Sequence, residues 1–116
     1  MIDNSRFFEF LDKGDKLSEL GKYEDAIECY SIALKIDPDN HKIWNSKGIA
    51  LVKLNRFTEA AISFNKAVEI DPNYHEAWYN QGSALNHLGK SKKATECFKR
   101  ALAIEPNKYK PLPDYD

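Results

Sequence analysis

The stretch HKIWNSKGIALVKLNRFTEAAISFNKAVEIDP, residues 41–72, holds the pattern that decides the fold. Trp44, Gly48, Leu51 and Leu54 recur at three- and four-residue steps, and so do Ala60, Phe64, Ala67 and Ile70, the spacing of one face of an α-helix. Between the two runs stands the short polar link Leu54-Asn55-Arg56, which forces the helices to run antiparallel. Asn55 tolerates the left-handed conformation that ends a helix. Asp71-Pro72 closes the second run, because proline disfavours helix in the residue before it.

Stepping outward by 34 residues reproduces this unit on both sides. Gly14, Gly48 and Gly82 are related in this way, as are Leu17, Leu51 and Leu85, then Ala26, Ala60 and Ala94, and the aromatics Tyr30, Phe64 and Phe98. Ala33, Ala67 and Ala101 follow the same step, and Pro38, Pro72 and Pro106 end the units. The chain therefore divides into a lead-in of residues 1–6, repeats at 7–40, 41–74 and 75–108, and a tail at 109–116, all one domain. Helices are expected near 6–20, 24–36, 41–54, 58–70, 75–88 and 91–104, with Gly21, Asn55 and Gly89 in the tight turns and Asn able to cap a following helix. Gly48 and Ala60 are expected where the two helices of a hairpin cross, with an aromatic filling the adjoining space, so a large residue at Gly48 should cost more than helix propensity alone.

These residues resemble the tetratricopeptide repeat, a 34-residue helix–turn–helix unit with the pattern Trp-x2-Leu-Gly-x2-Tyr, then Ala-x3-Phe, then Pro. Trp44, Gly48 and Leu51, and Trp78, Gly82 and Leu85, follow the first element with Lys47 or Gln81 for its Leu and Leu for its Tyr; Phe10 replaces Trp in the first unit. Ala26 with Tyr30, Ala60 with Phe64 and Ala94 with Phe98 keep the second element. The resemblance spans residues 7–108 and implies an all-α, right-handed α-solenoid of three antiparallel hairpins.

Function follows from the resemblance only as a class: a non-catalytic module or adaptor that binds a protein or peptide. The family's concave groove is lined by first helices. The resemblance places there Phe8, Leu11, Asp15, Ser18 and Glu19 from the first unit, Lys42, Asn45, Ile49, Val52 and Lys53 from the second, and Glu76, Tyr79, Ser83, Asn86 and His87 from the third. Phe8, Leu11, Ile49, Val52 and Lys53 are the most informative of these. The family's two-carboxylate clamp for chaperone C-termini is not supported, since its five basic and amide groups correspond to Leu11, Asp15, Ser46, Glu76 and Asn80, and two carboxylates would repel a terminal carboxylate.

The ends of the array differ. Glu9 and Lys16 stand where the later units have Ile43 and Ala50, or Ala77 and Ala84, so the first unit reads as a solvated N-terminal end. The last helix carries Lys92, Lys93, Lys99 and Arg100, which also suits a solvated end, yet Pro111 and Pro113 prevent the tail from adding a helix. Leu102, Ile104 and Leu112 then form a face for self-association into a homodimer or for docking to a larger protein, the alternative to groove binding; a tail folded back over them is the simpler reading.

Composition narrows the remaining classes. Hydrophobic residues are 42% and charged ones 30%, a folding composition, and the formal net charge of −1 provides no global field for nucleic acid or an anionic membrane. No leader or spanning segment is visible, which reads as a cytoplasmic protein without membrane association. Cys29 and Cys97 lie two periods apart, too far for a disulfide within the chain. His41 and His75, one period apart, are too distant to share a metal, and His87 has no partner at ligand spacing. The basic cluster of the last helix lacks the aromatic platform of a nucleic-acid site. No phosphate loop, nucleophile motif or cofactor signature occurs, so neither catalysis nor a cofactor is expected.

Overall fold

The computed structural model describes residues 4–109. They form six helices: α1 (Ser5–Glu19), α2 (Tyr23–Ile36), α3 (His41–Lys53), α4 (Phe57–Ile70), α5 (His75–His87) and α6 (Ser91–Ile104). No strand occurs among the described residues. Consecutive helices pack as antiparallel hairpins, and each hairpin lies against the next, giving a body of 58 × 28 × 21 Å. This is the all-α solenoid that the repeat implies.

The turn within each hairpin has one construction. Gly21, Asn55 and Gly89 take φ of 75°, 59° and 78°, the left-handed region. The next residue's backbone N–H then reaches back to the helix, from Lys22 to the Leu17 carbonyl at 2.8 Å, from Arg56 to Leu51 at 2.9 Å and from Lys90 to Leu85 at 2.9 Å. These bonds satisfy carbonyls that the helix end leaves without partners. They also make Leu20, Leu54 and Leu88 caps, so the first helices stop one residue before the expected position.

Links between hairpins are less uniform. Asn40 caps α3, its side chain accepting from the Ile43 N–H at 3.2 Å. Asn73 does not cap α5, because it lies one residue too early; its own N–H donates to Asp71 Oδ1 at 3.1 Å, and Tyr74 stands at the cap position without a side-chain bond. A constraint that periodicity did not reveal ties each later hairpin to its predecessor. The indole N–H of Trp44 donates to the Pro38 carbonyl, and that of Trp78 to the Pro72 carbonyl, both at 2.8 Å.

Glycine and aromatic meet within every hairpin. A Cβ built on Gly14 would lie 2.8 Å from the Tyr30 ring, on Gly48 2.4 Å from the Phe64 ring, and on Gly82 2.7 Å from the Phe98 ring. Gly48 is thus matched to the ring of Phe64, while Ala60 is fully buried nearby in the same hairpin's core. Any side chain at Gly48 would have to displace that ring.

The core runs through the hairpin boundaries. Ile43 of α3 packs with Phe7, Tyr30 and Leu34 of the first hairpin, Ala77 of α5 with Ala67 and Val68 of the second, and Ala84 with Phe64. Burying a side chain the size of Ile43 contributes about 2 kcal/mol. Stacking is therefore part of the fold's stability, and a single hairpin could not bury its own apolar face.

Candidate functional site

The first helices, α1, α3 and α5, share one side of the stack, with α3 and α5 in direct contact. Of the five large hydrophobic residues exposed among the described residues, three lie on this side, one from each hairpin: Phe8 at 58% exposure, Ile49 at 41% and Tyr79 at 43%. The other two, Leu20 and Ile62, belong to a turn and to α4. Phe8 is braced edge-on against the buried Phe7, with ring centroids 5.1 Å apart. An exposed apolar residue therefore stands on each of α1, α3 and α5.

Leu11 and Val52 are half-buried and pack against the core. Asn45 was expected to line the surface but is 97% covered, at 3% exposure. Its amide accepts from Asn80 Nδ2 at 3.1 Å and donates to the Tyr74 hydroxyl at 3.2 Å. It is thus a tie between α3, α5 and the turn before α5, and cannot meet a ligand directly. No sequence spacing could separate it from its register-mates, the half-buried Leu11 and the exposed Tyr79, since burial depends on which neighbour leans over it.

Charge on this side is mixed. Asp15, Glu19 and Glu76 are exposed carboxylates, and Lys42 and Lys53 exposed ammonium groups. Asp15 accepts from the Tyr30 hydroxyl at 2.6 Å, which fixes the carboxylate against the wall of the first hairpin. Burial, and next the Asp15 carboxylate beside it, push the Tyr30 phenol well above its ordinary range. Asn86 is exposed, Ser83 half-buried, and the His87 ring is stacked on Phe57 at 4.3 Å with its Nδ1 3.0 Å from the Ser83 carbonyl. Since a carbonyl only accepts, Nδ1 carries the proton in that contact. His87 thus sits at the turn edge, away from the three exposed apolar residues in chain position and tied to α4.

The other histidines have separate partners. His41 Nε2 lies 3.6 Å from Asp71, and His75 Nδ1 2.8 Å from the Tyr109 hydroxyl. Among the described residues no group of three or more histidine, cysteine, aspartate or glutamate side chains is placed to hold a metal. Cys29 and Cys97 are free and buried, lining equivalent outer clefts on the first and third hairpins, and burial raises both thiols. No helix among the described residues is long and apolar enough to cross a membrane.

At the far end, Tyr109 folds back onto α5, stacking on Tyr79 at 4.9 Å with the rings 17° apart. A cleft of about 390 Å³ opens beside it, lined by Tyr79, Thr95, Phe98, Lys99, Leu102 and Tyr109. Leu102 contributes to this cleft whereas Ile104, half-buried, does not line it. Leu112, also expected on that face, lies outside the described residues.

Comparison with known proteins agrees with this architecture. Two tetratricopeptide repeat family models match, one over residues 11–75 and one over 75–108. The first TPR of Spaghetti (RPAP3), solved bound to the HSP90 peptide SRMEEVD, is 31% identical with a TM-score of 0.87, covering 91% of this chain and 84% of that one. The second TPR of Spaghetti, bound to the same peptide, is 29% identical with a TM-score of 0.84, covering 88% and 94%. The first TPR domain of human RPAP3 is 30% identical with a TM-score of 0.85, covering 90% and 83%.

Proposed function

This chain belongs to the tetratricopeptide repeat family, whose members mediate protein–protein interaction, and from that premise we propose that it binds a peptide segment of another protein along the α1–α3–α5 side. The observation that carries the reading is the row of Phe8, Ile49 and Tyr79, one exposed apolar anchor per hairpin. Such a row suits an extended or helical segment with apolar residues at intervals and charges of both signs between them. The module is non-catalytic in this reading, acting as an adaptor or scaffold.

The peptide is held by its interior and not by its terminal carboxylate. Spaghetti's repeats bind the HSP90 peptide SRMEEVD, an acidic sequence. On the present chain Asp15 and Glu76 take the place of basic or amide clamp groups, and Asp15 is fixed by Tyr30 so that it cannot turn away cheaply. Two carboxylates facing a third disfavour binding.

Short peptides selected from a displayed random library on the full chain test this reading. Peptides that bind the wild type should lose about tenfold or more in affinity for Phe8→Ala/Ile49→Ala/Tyr79→Ala, keep their affinity when the C-terminus is amidated, and resist competition by SRMEEVD. These truncations remove exposed groups, so folding is spared, unlike charges placed at the half-buried Leu11 or Val52. Equal binding to the triple variant would sink the groove reading, and dependence on a free carboxylate would restore the clamp.

A further inference from the structure

We infer that the open end of the third hairpin is a second docking site, meeting the α1–α3–α5 side only at Tyr79, for an acidic amphipathic helix contributed by a different protein. The inner boundaries of this same molecule show what covers such a face. In the first hairpin Tyr30 and Leu34 are 2% and 6% exposed, and in the second Phe64 and Val68 are 0% and 4%, because the next hairpin's first helix lies over them. Their counterparts Phe98 and Leu102 are only half-buried and line the cleft. Three faces with one geometry exist, and two are occupied by a helix.

The occupied faces also define the register. Leu34 packs with Ile43, and Val68 with Ala77, so Leu102 calls for a small or apolar residue at the third position of an incoming helix. Phe64 packs with Ala84, so Phe98 calls for a small residue seven positions later. Asn65 Oδ1 accepts from Gln81 Nε2 at 3.3 Å across the second boundary. In the third hairpin Lys99 stands in the place of Asn65, so the matching residue, four after the first small one, is best acidic. Lys99 is the one charged side chain lining the cleft, whereas Lys93 and Arg100 line the cleft toward the second hairpin, with Arg100 over the Trp78 ring. Tyr109, 34 residues after His75, closes the near end of the cleft at the position where α5 begins in the preceding unit.

A second copy of this chain stacked head to tail fits badly. Its α1 would bring Glu9 over Leu102, Lys16 over Phe98 and Lys13 against Lys99, two charges on apolar residues and one like-charge pair.

The probe is a fluorescent peptide with the sequence of residues 75–88 carrying Gln81→Glu, which has small residues at the two seam positions and glutamate between them. Titrated with the full chain, it should bind, and Lys99→Glu should weaken it by about tenfold while favouring a matching peptide with lysine at that position. Leu102→Glu should abolish binding, and Ile49→Glu on the α1–α3–α5 side should leave it within about twofold. Lys99 is exposed, so its reversal tests the site even if the Leu102 variant does not fold. The inference is overturned by absence of binding, by a Lys99→Glu variant without reversed preference, by loss with Ile49→Glu instead, or by a chain that is already a dimer in light scattering and must dissociate to take the peptide.

Discussion

Glu9 and Lys16 of α1 occupy the register of Ile43 and Ala50 in α3, both 1% exposed, whereas Phe98 and Leu102 of α6 keep the apolar register of Phe64 and Val68. Both hairpins stand at an end of the described stack. At one end the facing residues have been replaced by charges that water can solvate; at the other the apolar pair persists and Thr95 replaces Ile27 and Ala61 at a neighbouring place. A repeat protein thus need not treat its two outer faces alike. Charge at the seam positions blocks further stacking, and apolar residues left there retain the capacity for it.

The sharpest way to break the comparison is to truncate the same register at an inner boundary and at the N-terminal end. Ile43→Ala should lose about 3 kcal/mol in urea unfolding, because its side chain is covered by two hairpins. Glu9→Ala should stay within about 0.5 kcal/mol. Similar losses would mean that the first hairpin is covered in solution.

A smaller difference tests the other end. Leu34→Ala, in the covered face, should cost about 3 kcal/mol and Leu102→Ala about 1 kcal/mol, since half of the Leu102 side chain remains wet in both variants. Addition of a saturating helical partner should raise the Leu102→Ala cost toward the Leu34→Ala value. If the two variants already match without a partner, the cleft is filled.

The smallest effect separates Tyr30 from Phe64 and Phe98, which hold the same place. Since the other hairpins accept phenylalanine, Tyr30→Phe should cost no more than about 1 kcal/mol at neutral pH. The folded phenol is raised above its unfolded value, so the unfolded chain releases that proton first. Its stabilising contribution is present below about pH 10 and is lost as pH rises above it. Tyr30→Phe should therefore flatten the alkaline decline of the thermal midpoint. The decline should not vanish, because burial raises Tyr74 and Tyr109 in the same direction. An unchanged slope would remove Tyr30 from the account.

Much of this was legible in the chain. Helical spacing and turn residues placed every helix to within a residue, since glycine or asparagine in the left-handed conformation and proline after an acidic residue are local constraints. The side of the candidate site was legible by register. Its surface was not, as Asn45 illustrates: the residue shares a helix position with Tyr79, yet one is buried by a hydrogen-bonded bridge to Tyr74 and Asn80 while the other is exposed. The indole bonds of Trp44 and Trp78 were equally invisible, because they join a side chain to a carbonyl in an irregular turn.

By itself the sequence determined the repeat, the hairpins, the small-residue crossings and the charged first face, because each depends on residue type at a fixed spacing along one helix. The tertiary structure decided which residues of the shared side are exposed and which are ties, and that Phe98 and Leu102 line an open cleft beside Tyr109. Those outcomes depend on the approach of side chains from different hairpins, and such distances are set by packing rather than by any period in the chain.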